Sequence, residues 1–129
     1  MREPRWVPRL VVDAVHLDQL REHGGLPGVR DENALEAALA RPRQKWAPAT
    51  DLAALAAAYA FGLANAHPFN DGNKRIAFLT AVVFLGLNGK DLDAAETDVV
   101  QVMVALAGGS LKEQQLAAWL RPRIVKLAP

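Results

Sequence analysis

The sequence predicts an all-α protein with a single domain and about six helices. Alanine and leucine dominate the composition, and both residues favour helices. Apolar residues recur every three or four positions, which is typical of helices that bury one face. Strand signals are nearly missing, because no stretch alternates cleanly between apolar and polar residues. A chain of 129 residues that is 51% hydrophobic can form one domain, residues 1–129, with its own core.

Three helices are expected in the first half of the chain. Their expected bounds are Pro8 to Gly24, 32–40 and 52–66. Asp31 and Asp51 are suitable N-caps for the second and third helices, and Arg41-Pro42 is expected to stop the second. Residues 42–50 look irregular. The residues that recur at helical spacing in the first helix are Leu10, Ala14, Leu17 and Leu20.

Further helices are expected over 72–87, over about 94–107 and from Ser110 to Leu120. The helix over 72–87 is apolar almost all round, which is typical of a buried central helix. Asn88-Gly89 follows it and is interpreted as a helix stop rather than a hairpin turn. The residues Ser110 to Glu113 match a capping box with Ser110 as the N-cap. No element is predicted for the tail, residues 121–129.

Composition excludes several classes of function. The chain has no cysteine, so disulfides, thiolate chemistry and zinc–thiolate sites are excluded. A net charge of +1 is too small to indicate direct binding to nucleic acid or to an acidic membrane. The N-terminus lacks the apolar run of a signal peptide, and no segment reaches the ~20 apolar residues that span a bilayer. A cytoplasmic protein is expected.

The stretch from His67 to Arg75 is unusual for a purely structural loop. It connects the two most apolar predicted helices and holds a histidine, an aspartate, two asparagines, a lysine and an arginine. Lys74 and Arg75 fall in the first turn of the following helix, where the helix dipole disfavours positive charge by a few tenths to ~1 kcal/mol each. Two cations at that end of a helix indicate a bound anion. The alternative is a polar loop with a capping aspartate and a buried histidine.

Each polar residue of this loop suits one step of phosphate chemistry. The backbone N–H groups of Gly72, Asn73 and Lys74 could bind phosphate oxygens together with the side chains of Lys74 and Arg75. Asp71 would repel phosphate unless a cation such as Mg²⁺ bridges the two. His67 could accept a proton from a hydroxyl that attacks phosphorus. Phe69 is expected to anchor the loop in the core.

These residues resemble the signature of the Fic/Doc family, His-x-Phe-x-Asp/Glu-Gly-Asn-x-Arg, which residues 67–75 match completely. Fic proteins that transfer nucleotides typically have glycine at the position of Lys74 and a second arginine at that of Phe78. The chain is therefore more similar to the Doc (death-on-curing) subfamily. The segment from His16 to Pro42, which includes Gly24-Gly25-Leu26-Pro27-Gly28-Val29-Arg30-Asp31, also resembles the N-terminal half of Doc-like proteins.

The resemblance implies a compact helical bundle and a toxin of a toxin–antitoxin pair. It implies that His67 is the general base, that Asp71 holds Mg²⁺, and that Gly72, Asn73, Lys74 and Arg75 bind the phosphates of ATP. The γ-phosphate would pass to a threonine or serine hydroxyl of a protein, with elongation factor Tu as the expected target, and translation would stop. The self-inhibitory helix motif of some Fic proteins is not found, so a Phd-like antitoxin is expected to inhibit the protein in trans.

Two other functions remain open at the level of sequence. The first is ordinary Fic chemistry, in which a nucleotidyl group is transferred to a protein hydroxyl. The second is a catalytically silent regulator or DNA-binding partner, for which no recognition-helix signal is found. Two residues outside the loop are also considered. His16 is expected to be a surface or hydrogen-bonded core histidine, with target contact as the alternative. Arg21 is expected to be a surface residue, with the role of an additional arginine of the site as the alternative.

Overall fold

Six α-helices and a small antiparallel sheet make up the structure, a computed structural model that describes residues 1–129. The helices are α1 (Arg9–His23), α2 (Glu32–Lys45), α3 (Leu52–Ala66), α4 (Asn73–Leu87), α5 (Glu96–Ala107) and α6 (Glu113–Leu120). A 3₁₀ turn at Arg121–Arg123 follows α6, and the strands are β1 (Lys90–Leu92) and β2 (Ile124–Lys126). The prediction of an all-α fold with about six helices is confirmed. No helix in the chain is both long enough and apolar enough to cross a membrane.

The centre of the molecule is α3, which α2, α4 and α6 surround. Its many alanines have small side chains, so the neighbouring helices approach closely and α3 is buried on most of its surface. Asp51 caps its start, as predicted, by accepting a hydrogen bond from Ala54 N–H at 3.0 Å. The apolar α4 is also largely buried, which confirms the expectation of a central helix at this position.

The residues that recur at helical spacing in α1 do not form its buried face. Leu10 is 81% exposed, and Leu17 is exposed as well, whereas Val12 and His16 are buried. Leu10 lies about 200° around the helix axis from Val12, at about 100° per residue. The helix takes this orientation because the buried His16 ring packs on Phe69 and hydrogen-bonds to a backbone carbonyl, contacts that helical spacing alone does not reveal.

The second helix does not stop before Pro42, as the sequence predicted, but continues to Lys45 with Pro42 inside it. A proline in a helix removes one N–H donor, which leaves the carbonyl of Ala38 without its usual partner. That part of α2 packs tightly on α3, since a Cβ at Gly62 would lie 3.6 Å from the Ala38 carbonyl oxygen. We attribute the continuation to this packing, in which Pro42 is itself buried.

Ser110 ends α5 rather than beginning α6, which corrects the predicted capping box. Both Ser110 N–H and Ser110 Oγ donate to the carbonyl of Ala105, at 3.0 and 3.2 Å. The N-cap of α6 is Lys112, whose N–H donates to Gln115 Oε1 at 2.8 Å. Serine competes for local backbone acceptors, so the same residue type can close one helix as easily as it opens another.

The tail, for which no element was predicted, pairs with the segment after α4. Strands β1 and β2 are antiparallel, with Lys90 opposite Lys126 and Leu92 opposite Ile124. Each strand has only three residues, which is too short for an alternating pattern to be recognised.

Glu113 connects α6 to α2 across the surface of α3. Its carboxylate pairs with Arg41 and, at 2.9 Å, with Lys45, and its side chain is only 12% exposed. Burial alone would raise the pKa of Glu113, but the hydrogen bonds from Lys45 and Arg41 outweigh that effect and hold the pKa below its ordinary value.

We expect Glu113→Gln to lower the free energy of unfolding at pH 7 by about 1–2 kcal/mol, because both cations lose their carboxylate partner. A carboxyl with a lowered pKa stabilises the fold above its unfolded pKa of about 4.3 and loses that contribution as the pH falls through the folded pKa. Urea unfolding of both proteins at pH 7 and at pH 3 measures this. The difference should shrink at pH 3, and an equal difference at both values would contradict the assignment.

Candidate active site

The loop between α3 and α4, residues 67–72, begins with a residue in an uncommon conformation. His67 has φ 47° and ψ 54°, and no other non-glycine residue of the chain has a positive φ. This left-handed conformation costs an L-residue about 1–2 kcal/mol. It ends α3 immediately before Pro68, and the surrounding structure must stabilise it.

A bracing segment, residues 26–31 between α1 and α2, lies along this loop. Val29 and Phe69 form an isolated antiparallel bridge. The accompanying backbone hydrogen bonds are Arg30 N–H to Pro68 O (2.7 Å), Asp31 N–H to Pro68 O (3.1 Å) and Asn70 N–H to Gly28 O (3.1 Å). The loop backbone is therefore held by main-chain hydrogen bonds, much as an added strand would hold it.

Phe69 and His16 hold the loop from the side that faces the core. Phe69 is 1% exposed, which confirms that it anchors the loop in the core. The His16 ring stacks on it with centroids 3.9 Å apart, and His16 Nε2 lies 2.8 Å from the carbonyl oxygen of Asp71. Because a carbonyl can only accept, this nitrogen carries the proton. His16 is thus a hydrogen-bonded core residue, the favoured sequence interpretation.

The side chain of Asn73 is used within the loop. Its Oδ1 accepts from Phe69 N–H and its Nδ2 donates to Phe69 O, both at 2.9 Å. These two bonds join the start of α4 to the middle of the loop. Any contact of Asn73 with a bound phosphate would therefore come from its backbone N–H rather than from its amide.

Asp71 presents one carboxylate oxygen that makes no hydrogen bond within the protein. The other oxygen, Oδ2, accepts from Leu26 N–H at 2.7 Å. A Cβ at Gly25 would lie 3.2 Å from Asp71 Cβ, so the glycine allows this close approach. No group of three or more acidic or histidine side chains could hold a metal alone. A single carboxylate does suit Mg²⁺, which takes one or two carboxylates and completes its shell with water and substrate phosphates.

The start of α4 carries two positive charges, and its first three N–H groups have no hydrogen-bond partner within the protein. Lys74 and Arg75 are exposed, and neither forms an ion pair or a hydrogen bond with another side chain. The N–H groups of Asn73, Lys74 and Arg75 make no hydrogen bond within the protein, whereas that of Ile76 donates to Gly72 O. Gly72 precedes them with φ 79°. Three N–H groups, two side-chain cations and the helix dipole therefore favour an anion here.

All six predicted site residues line one cleft of about 510 Å³. They are His67, Asp71, Gly72, Asn73, Lys74 and Arg75. The opposite wall comes from α5, through Val100, Met103 and Val104, and sequence reasoning missed it. Val100 and Val104 are 54% and 57% exposed, so α5 is more apolar than its buried face requires. These exposed apolar residues were the feature of the sequence that could have indicated a binding surface on α5.

Two positions considered from the sequence, Phe78 and Arg21, do not contribute a cation to the cleft, and neither does Asn65. Phe78 is 8% exposed and does not line it. Asn65, two positions before His67, donates to the carbonyl of Phe61 within α3. Arg21 is exposed on α1 and is not among the residues that line the cleft.

Comparison with known proteins agrees with the loop motif. The family model described as Fic/DOC family matches residues 6–85. The chain is also similar to the protein named protein kinase doc of Escherichia phage P1. The two are 35% identical over 111 residues, which cover 84% of this chain and 86% of the phage protein. The match extends well beyond the nine-residue motif, and the chain belongs to the Fic/Doc family.

Proposed function

We propose that this protein is a kinase that transfers the γ-phosphate of ATP to a serine or threonine hydroxyl of a protein target. One observation carries the proposal: a single cleft holds His67, the unpaired oxygen of Asp71 and the uncompensated positive start of α4. A proton acceptor, a carboxylate oxygen that can ligate a bridging cation, and an anion site are the parts that phosphoryl transfer requires.

The two sides of the cleft suit the two ends of ATP. The triphosphate is anionic and would lie against Lys74, Arg75 and the unbonded N–H groups of the first turn of α4. The adenosine would lie toward the apolar wall that Val100, Met103 and Val104 form. A volume of about 510 Å³ lies within the usual range for small-molecule sites.

In the proposed reaction His67 accepts the proton of the target hydroxyl. The hydroxyl oxygen forms a bond to the γ-phosphorus while the bond from that phosphorus to the β–γ bridging oxygen breaks. The electron pair of the broken bond leaves with ADP, and the proton remains on the imidazole. Lys74 and Arg75 would stabilise the charge on the phosphate oxygens. The left-handed backbone of His67 lets its side chain line the cleft, where it can meet the hydroxyl.

Asp71 is the one carboxylate among the residues that line the cleft. With Oδ2 engaged by Leu26 N–H, its second oxygen would ligate Mg²⁺ between the protein and the phosphates. When bound, Mg²⁺ would neutralise part of the phosphate charge.

Phosphoryl transfer is favoured over nucleotidyl transfer by two residues and one relative. Lys74 stands where nucleotide-transferring Fic proteins typically have glycine, and the buried Phe78 supplies no second arginine. The relative at 35% identity carries the name protein kinase. Nucleotidyl transfer is the competing reaction, and the experiment below distinguishes the two.

The target and the regulator follow from the Doc resemblance. We propose that the protein is a toxin that phosphorylates elongation factor Tu and stops translation in the cytoplasm. Since the chain has no self-inhibitory motif of the Fic type, inhibition would come from a Phd-like antitoxin. An antitoxin segment that is disordered alone and folds as a helix on the toxin would suit such a role.

Incubation with a cell lysate, Mg²⁺ and ATP labelled at either the α or the γ position tests the reaction. We expect the γ label, and not the α label, to appear on a protein target. The substitution His67→Ala should reduce this transfer by about 10²- to 10⁴-fold, the usual contribution of a general base. Autoradiography of the separated proteins measures both effects, and growth of cells that express each variant gives a second readout.

His23→Ala is the matched control, because His23 is an exposed histidine at the end of α1 that does not line the cleft. It should transfer the γ label at the unaltered rate. Transfer of the α label would replace the kinase proposal with nucleotidyl transfer. A fully active His67→Ala protein would remove the general-base role.

The role of Asp71 is tested with Asp71→Asn. The asparagine oxygen can still accept from Leu26 N–H, so the loop keeps this bond while the negative charge is lost. We expect the Mg²⁺ concentration for half-maximal transfer to rise at least about tenfold, because a neutral amide is a weaker ligand for Mg²⁺ than a carboxylate. Rates across a Mg²⁺ titration measure the change.

Asp18→Asn removes one negative charge from the exposed surface of α1 and serves as the control. Its Mg²⁺ dependence should equal that of the unaltered protein. If Asp71→Asn shows that same dependence, Asp71 is not the metal ligand.

A further inference from the structure

The backbone of His67 has a partner outside the cleft, the side chain of Arg30. Arg30 Nε donates to the carbonyl oxygen of His67 at 2.9 Å, and Arg30 Nη2 donates to the same oxygen at 2.5 Å and to Ala66 O at 3.3 Å. A planar guanidinium can make this forked contact because Nε–H and one N–H of Nη2 lie side by side on one edge of the plane. The contact involves the main chain only, so it leaves the imidazole ring of His67 unengaged.

The position of these contacts is electrostatically favourable. The last carbonyls of a helix lack partners within the helix, and the C-terminal end carries partial negative charge. Arg30 places a cation at that end of α3. The same three hydrogen bonds therefore satisfy exposed carbonyls and restrain the one non-glycine residue with a positive φ.

Arg30 is itself held in place by its neighbours. Its own N–H donates to Pro68 O at 2.7 Å, and Val29 beside it forms the bridge to Phe69. Asp31 caps α2 by accepting from Ala34 N–H at 3.0 Å. The backbone from which the guanidinium extends is thus bound to the same loop that the guanidinium restrains.

We propose that Arg30 is a positioning residue: its guanidinium holds His67 in the left-handed conformation in which the imidazole lines the cleft. Arg30 does not line the cleft itself, so it acts through the backbone of His67 and touches no reacting atom. The part of the proposal that concerns catalysis rests on the proposed function of His67. The part that concerns conformation does not.

The alternative is that Arg30 only caps the C-terminal end of α3 and has no effect on His67. The chain offers a matched control for that role. Arg121 pairs with Asp51 at the opposite end of α3, with Nε 2.6 Å from Oδ2. Both arginines are exposed, and each interacts with one terminus of the same helix. If Arg30 only stabilises α3, Arg30→Ala and Arg121→Ala should have similar effects.

The test compares the two variants by steady-state kinetics and by NMR of the ring nitrogens of His67. For Arg30→Ala we expect kcat to fall on the order of 10- to 100-fold with KM for ATP unchanged within about twofold, because a misplaced base slows the chemical step rather than ATP binding. The ring signals of His67 should shift or broaden. Arg121→Ala should lower Tm but leave kcat and the ring signals unchanged.

Arg30→Lys tests partial rescue, since lysine keeps the charge but not the forked geometry. The lysine variant should recover part of kcat. If Arg30→Ala proves too unstable to assay, Arg30→Lys is compared with Arg121→Lys instead. Unchanged ring signals of His67 in Arg30→Ala overturn the proposal, and so does an unchanged kcat in a protein that transfers phosphate. If the unaltered protein transfers no phosphate, the proposed function fails, and the ring signals alone decide the role of Arg30.

Discussion

The backbone of residues 67–72 is held mainly by hydrogen bonds that come from outside α3 and α4, the two helices it connects. The bracing segment pairs with it on one side, and His16 on α1 donates a hydrogen bond to the carbonyl of Asp71. The amide of Asn73 closes the loop on itself. The amides of Asn70 and Asn73 and one oxygen of Asp71 take part in this hydrogen bonding. The His67 ring, the second Asp71 oxygen and the two cations Lys74 and Arg75 make no hydrogen bond within the protein and are available to a ligand.

The same arrangement explains how the protein tolerates an unfavourable charge distribution. Lys74 and Arg75 oppose the dipole of α4, and the first N–H groups of that helix remain unbonded. The two cations are unfavourable at this end of the helix in the absence of an anion, by a few tenths to ~1 kcal/mol each. They are placed between two helices whose burial stabilises the fold, so the local cost does not disrupt the loop. A destabilised site on a well-packed base is common where function requires uncompensated charge.

Much of the site could be predicted because its residues are close together in sequence. Nine consecutive residues contain the histidine, the carboxylate, the glycine and the cations, and the start of a helix after Gly72 places them on one side of a cleft. Helix positions were also largely predictable, since alanine and leucine favour helices and Asp51 is an effective cap. Two of the errors occurred where a distant contact decided the outcome, whereas the misplaced cap at Ser110 reflects local competition for a backbone acceptor. The face of α1 depends on the partners of His16, and α2 continues through Pro42 where it packs on α3.

By itself, therefore, the sequence determined the helical fold and the residues that the loop and the start of α4 contribute to the cleft, since periodicity and a local motif depend on neighbours along the chain. Only the tertiary structure placed α5 opposite the loop, engaged the Asn73 amide with Phe69 and brought Arg30 to the carbonyl of His67. These are contacts between residues on different elements or between a side chain and a backbone group. Their geometry depends on how the helices pack, and no periodicity in the sequence records it.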